Sequence, residues 1–151
     1  MNDLIVFVAS YFYLISIALF AGYFFYAPKI IRRQFLRFSF LVLPFSYLLG
    51  LVAKHLYYDP RPFVVLHITP LFAHAADNGF PSDHALLMGA LAAIVTVFDT
   101  RIGITLWVLA FLVGAARVLA SVHHPIDIFA SFIIAIVVTL VVKLFVKHRE
   151  Q

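Results

Sequence analysis

Leu4 to Ala27 reads LIVFVASYFYLISIALFAGYFFYA, 24 residues without one charged side chain. A helix of that length with no polar face has nothing to offer water, whereas at 1.5 Å per residue it covers the hydrocarbon region of a bilayer. The whole chain agrees with this reading: 64% of its 151 residues are hydrophobic and 12% are charged, a balance foreign to soluble domains of this size. The run exceeds the length of a signal-peptide core, and Met1-Asn2-Asp3 ahead of it lacks a basic region, so it is read as a retained span.

Four more apolar stretches follow, Phe38 to Ala53, Ala85 to Phe98, Ile102 to Val122 and Ile128 to Val142. The expected fold is therefore all-α, a polytopic transmembrane bundle of about five spans forming one domain over residues 1–151. The third stretch is short unless its helix starts at Ser82, a serine before an apolar run being an N-cap signal. No cysteine is present, which excludes disulfides, thiolate catalysis and cysteine-ligated metal. The net charge of +4 does not imply a nucleic-acid partner, because the basic residues are scattered between apolar runs and form no basic face.

Lysine and arginine favour the cytoplasmic side of short loops. With five spans, eight of the eleven fall on one side: Lys29, Arg32, Arg33 and Arg37 after the first, Arg101 after the third, and Lys143, Lys147 and Arg149 after the fifth. The remaining three, Lys54, Arg61 and Arg117, lie at the opposite, extracytoplasmic end. Snorkelling to headgroups explains one such cation more readily than three that converge.

Around those three the sequence gathers Lys54-His55-Leu56-Tyr57-Tyr58-Asp59-Pro60-Arg61-Pro62, then Pro81-Ser82-Asp83-His84, then Arg117, His123 and Asp127. Four helix ends meet there. Three cations facing a serine hydroxyl and a helix amino terminus describe an anion pocket, and a phosphoryl group uses that much charge best. His123 and Asp127, four apart, are expected on one helical turn across Pro125, with the carboxylate fixing the tautomer of a nucleophilic imidazole. His84 is placed to protonate a leaving oxygen. His55, His67, His74 and His124 are read as satisfied interfacial polar residues, and Tyr57 and Tyr58 as interfacial anchors. The site is read as having a carboxylate pair at most, with no His/Asp/Glu spacing of a metal cage.

The three clusters resemble the signatures of the type 2 phosphatidic acid phosphatase family. Lys54, Arg61 and Pro62 match its lysine, six residues, arginine-proline; Pro81, Ser82 and His84 match its proline-serine-glycine-histidine; Arg117, His123 and Asp127 match its serine-arginine, five residues, histidine, three residues, aspartate. The resemblance covers Lys54 to Asp127 and implies a haloperoxidase-like core fold. It also implies attack by His123 on phosphorus to give a phosphohistidine, orientation by Asp127 and protonation of the leaving group by His84. Lys54, Arg61, Ser82 and Arg117 would hold the phosphoryl oxygens, joined by the backbone amide of Asp83, with no metal and no cofactor. Two positions depart from the pattern: Asp83 stands where the family has glycine, with its carboxylate expected to face outward, and Ala116 where it has serine. The Pro-Ser-Asp-His variant resembles the bacitracin-resistance branch, which acts on undecaprenyl pyrophosphate. The family commonly has six spans against the five read here.

The stretch Phe63 to Phe80 is broken by Pro70, Asp77, Asn78 and Gly79, and is expected in the interface as a lipid-entry wall or a packed connection. The leading expectation is a membrane lipid phosphatase acting on undecaprenyl pyrophosphate at the outer face of a bacterial cytoplasmic membrane. A phosphatidic acid or phosphatidylglycerophosphate phosphatase would use the same residues with another tail. A small phosphate- or lipid-binding transporter would use the cations alone and leave the histidine spacing without a purpose.

Overall fold

The computed structural model describes residues 1–148; Arg149, counted above among the cations of the basic side, lies outside them. Six helices follow in order: α1 (Asn2–Tyr26), α2 (Lys29–Leu56), the single turn α3 (Pro62–Val65), α4 (Asp83–Phe98), α5 (Thr100–Leu119) and α6 (Pro125–His148). The protein is a multi-pass helical bundle. Four helices, α1, α2, α5 and α6, are long and apolar enough to cross a membrane, and α1 runs unbroken through the stretch quoted above. The fifth, α4, has 16 residues, about 24 Å of rise.

The shortest of these five is also the innermost. Ten residues of α4 are buried against three of α1, and α4 packs on α1, α2, α5 and α6. Its sequence, DHALLMGALAAIVTVF, is apolar on every side, as a helix enclosed by others must be, and its alanines and Gly89 let neighbouring backbones come close. Large apolar side chains of the outer helices, among them Phe7, Phe40, Phe111, Ile133 and Phe145, stay exposed and form the surface that faces lipid.

Several span boundaries differ from those expected, among them α6, which runs from Pro125 to His148 where Ile128 to Val142 is expected. α2 begins at Lys29, not Phe38, so Lys29, Arg32, Arg33 and Arg37 stand on its first turns and not in a loop. Their long stems let the charge reach the headgroups while the backbone stays helical, and Arg32 lies over the Phe24 ring at 5.6 Å. α5 ends at Leu119, not Val122, because the chain turns there through a complete Schellman motif. Val122 N–H donates to Arg117 O at 3.2 Å, Ser121 N–H donates to Val118 O at 2.9 Å, and Ser121 takes a left-handed φ of 61°.

At the basic end, α4 and α5 are joined through Asp99 alone, whose carboxylate accepts from Arg101 and Ile102 N–H and caps α5. A side chain at Gly103 would begin 2.6 Å from Thr96 Cα, so this hairpin closes only with glycine there. At the other end the stretch from Leu66 to Ser82 contains no helix and lies over the bundle. It is pinned to the α5–α6 turn by Phe63 N–H to Ser121 O and Leu71 N–H to Ala120 O, both 3.2 Å.

Candidate active site

His123 is delivered by two local features of sequence. The Schellman turn halts α5 four residues before it, and Pro125 opens α6 two residues after it, proline being favoured at a first helical position. His123 therefore stands between two helices and not on a helical turn as expected. Asp127 is the third residue of α6, and its Oδ2 accepts the His124 backbone N–H at 2.9 Å, the reciprocal half of a capping box. The same Oδ2 lies 3.1 Å from Nδ1 of His123. One carboxylate thus caps α6 and orients the imidazole.

With Nδ1–H committed to Asp127, the Nε2 lone pair of His123 faces the cavity. Around Nε2 stand Ser82 Oγ at 3.2 Å, Arg61 Nη1 at 3.3 Å and Arg117 Nη2 at 3.4 Å. Ser82 holds the N-cap position of α4, but its hydroxyl makes no cap bond and is turned to His123. Burial pushes the His123 imidazole below its ordinary range; the Asp127 bond works against this, and the Arg117 and Arg61 charges add to it. A neutral ring among fixed cations is a nucleophile held ready for an anion.

Both arginines are buried, Arg61 at 5% exposure and Arg117 at 3%. Arg61 is oriented by Asp77 through Nε at 2.8 Å and by Val122 O through Nη1 at 2.7 Å. Burial alone would raise the Asp77 carboxyl, but the hydrogen bond and charge of Arg61, with Lys54 beyond, hold it below the usual range. Arg117 donates to Ala9 O of α1 at 3.3 Å, and its guanidinium carbon lies 5.9 Å from the Phe72 ring centre.

Arg61, His74, Asn78, Pro81, Asp83, His84, Arg117 and His123 enclose a cavity of about 110 Å³. A space of that size takes more than one water molecule, enough for a small polar group. His84 opens α4 at the wall, its ring edge-on to Tyr13 at 5.1 Å. Asp83 is exposed at the rim. Lys54 stands apart: it is half-buried near the end of α2, does not line the cavity, and its carbonyl accepts from Asn78. Of the proposed phosphate ligands, the structure brings Arg61, Ser82, Asp83 and Arg117 to His123.

The reading of His74 as an ordinary interfacial residue is corrected, whereas His124 is a satisfied polar residue, as expected. His74 lines the cavity with Nε2 3.4 Å from Arg117 Nη2 and its ring 6.2 Å from that of His123. Burial, then the Arg61 charge, lowers its proton affinity. His124 Nδ1 lies 2.9 Å from Asp59 Oδ2. No metal-cage spacing is read in the sequence around the site, yet the fold brings Asp59, His124 and Asp127 together, each with a side-chain atom within 4.8 Å of the other two. Asn78, another residue the sequence reading passed over, spends its whole amide on the site. Nδ2 donates to Lys54 O at 3.0 Å and Tyr57 O at 2.9 Å, while Oδ1 accepts from Asp59 N–H at 3.0 Å and Phe80 N–H at 2.9 Å. Its only sequence signal was a loop asparagine beside glycine, which reads simply as a turn.

Comparison with known proteins identifies the family. The chain is 41% identical over 95 residues, 59% of its length, to the undecaprenyl-diphosphatase BcrC of Bacillus subtilis, and spans 48% of that relative. It is 28% identical over 144 residues to the bacitracin transport permease protein BcrC of Bacillus licheniformis, covering 94% of this chain and 70% of the relative. The fold is similar to the crystal structure of Aquifex aeolicus LpxE, with a TM-score of 0.76 at 24% identity over 94% of this chain and 86% of that one. Residues 35–151 match the PAP2 superfamily, and the chain belongs to that family.

Proposed function

We propose that the chain is a membrane lipid phosphatase that hydrolyses a lipid-linked diphosphate, undecaprenyl pyrophosphate in preference to glycerophospholipids, at the extracytoplasmic face of a cytoplasmic membrane. Residues 1–151 act as one phosphatase domain with its motif-bearing core over 54–127. The observation that carries the reading is the surrounding of His123: Nδ1 bonded to a fully buried carboxylate, Nε2 facing Arg61, Arg117 and Ser82. A transporter needs the cations but has no use for an oriented, neutral imidazole among them. The diphosphate is favoured by the 41% identity to a protein named for that substrate.

In the reaction, the terminal phosphoryl group enters the cavity and its oxygens take the hydrogen bonds that Arg61, Arg117 and Ser82 direct at Nε2. The backbone amide of Asp83 adds a donor, and Lys54 adds positive charge from outside the wall. Nε2 attacks phosphorus, the bond to the bridging oxygen breaks, and His84 protonates that oxygen. The imidazolium formed on phosphorylation keeps Nδ1–H on Asp127, whose negative charge stabilises it. Water, deprotonated by His84, then attacks phosphorus, and the N–P bond breaks to release phosphate.

The test is phosphate release by detergent-purified wild type and His123→Ala, in the presence of chelator, on undecaprenyl pyrophosphate, phosphatidic acid and phosphatidylglycerophosphate. Release from the first that the substitution abolishes is expected. Preference for either glycerophospholipid would reassign the substrate, and silence on all three from folded protein would overturn the enzyme reading.

A further inference from the structure

The carboxylate that orients His123 is itself in an unusual position. Asp127 is fully buried; its Oδ2 has two N–H partners, but its Oδ1 has no N–H or O–H donor among the described residues. A buried carboxylate oxygen left bare is costly. Another carboxyl stands beside it: one side-chain oxygen of Asp59, from the connection between α2 and α3, lies within 4.8 Å of an Asp127 carboxylate oxygen and of a His124 ring nitrogen. Two carboxylates in contact cannot both ionise unless a cation or a proton lies between them.

The hydrogen bonds point to Asp59 as the acid that carries a proton. Asp127 Oδ2 already accepts two N–H bonds. Asp59 is pushed above the ordinary carboxyl range, by burial first and then by the Asp127 charge, with His124 pulling the other way. Asp59 Oδ2 faces His124 Nδ1 at 2.9 Å, so its other oxygen is the one left to carry a proton toward Asp127. The Asp59 backbone is fixed on both sides, its N–H on Asn78 Oδ1 at 3.0 Å and its carbonyl accepting Gly79 N–H at 2.8 Å. Gly79 is pressed so close that a Cβ would lie 3.1 Å from Asp127 Oδ2 and 3.3 Å from Asp59 O. A side chain there would push the loop or the two acids by a few tenths of an ångström.

We infer that Asp59 is a positioning residue for the reaction proposed above: held by His124, its protonated carboxyl donates a hydrogen bond to the Asp127 carboxylate and fixes it against Nδ1 of His123. The neutral acid completes the shell of Asp127 without adding charge and keeps that carboxylate aimed at the imidazole. Asp59 touches neither substrate nor the attacking nitrogen.

This rests on the phosphatase reading, and the experiment separates the two. The full-length protein is purified as wild type, Asp59→Asn, Asp59→Ala and His124→Ala, and phosphate release from undecaprenyl pyrophosphate is measured with and without chelator. An asparagine reproduces the protonated acid: its oxygen accepts from His124 and its NH₂ donates to Asp127. Asp59→Asn is expected to keep kcat within about threefold, whereas Asp59→Ala lowers kcat by about 10- to 100-fold, the range known for partners that orient a functional group, with KM little changed. His124→Ala is expected to fall between them. A wild type silent on every lipid would overturn the phosphatase reading and this one with it. An active wild type with Asp59→Asn as impaired as Asp59→Ala would overturn this inference alone. So would an unimpaired Asp59→Ala, or loss of wild-type activity in chelator, which would mean that a cation bridges the two acids. If Asp59→Ala does not fold, the comparison of Asp59→Asn with wild type decides.

Discussion

Arg117 holds Nη2 3.4 Å from Nε2 of His123 while Nη1 of the same guanidinium donates to Ala9 O of α1. The fork is thus braced by one helix and aimed by another, and lysine, with a single nitrogen, cannot keep both contacts. Arg117→Lys is expected to lower kcat about 100- to 1000-fold, the usual cost of losing a preorganised donor to a transferring oxygen. Steady-state phosphate release measures it, and circular dichroism checks that the helices persist.

The acid limb of kcat/KM reports protonation of His123, because only the neutral ring attacks. The folded imidazole lies below its ordinary value, through burial and the two arginines, so the limb is expected below the free histidine value of about 6.5. The same shift sets a stability trend. The unfolded chain protonates first as pH falls, so stability that is full above the unfolded value is lost as pH drops through it toward the folded one. A limb at or above the free value, in a pH series on undecaprenyl pyrophosphate, would contradict this assignment.

Asn78 satisfies four backbone groups from one side chain. Asn78→Ala frees all four at the point where α2 meets the site, and water can reach only some of them. A loss of about 2 kcal/mol is expected, within the range for unsatisfied buried polar groups, together with lower activity because Asp59 and Phe80 lose their anchor. Thermal unfolding in detergent measures the first effect and phosphate release the second.

Ser121 occupies the left-handed position of the Schellman turn, where glycine is favoured and a β-branched residue is strained. Ser121→Gly is expected to leave kcat unchanged and to hold or raise the melting temperature. Ser121→Val is expected to lower both by displacing His123. Equal behaviour of the two variants would mean that the turn tolerates any residue and does not position the nucleophile.

The bundle and the candidate site at one end of it were legible because membrane solvation imposes long apolar runs and because the proposed phosphate ligands sit at fixed spacings near helix ends. Arg61, Ser82, Arg117, His123 and Asp127 could be found in that way. Helix limits were less legible where charge and helix coexist, as at Lys29 to Arg37, or where a capping turn hides inside an apolar run, as at Ala120 to Val122. His74, Asn78 and the Asp59–His124 pair were illegible for another reason. Each gains its meaning from a partner that only the fold brings near: Asp59 and His124 lie 65 residues apart in sequence.

The brevity of α4 has a consequence for how a lipid reaches the site. Its rise of about 24 Å falls short of a hydrocarbon region of about 30 Å. With its Asp99 end at one boundary, Ser82 lies several ångströms beneath the other. On the proposed reaction, a lipid substrate would sink its headgroup toward the cations, and its chain would not have to be lifted into water. The work of catalysis begins with a downward displacement of charge, compensated by Arg61 and Arg117, in place of an upward extraction of hydrocarbon.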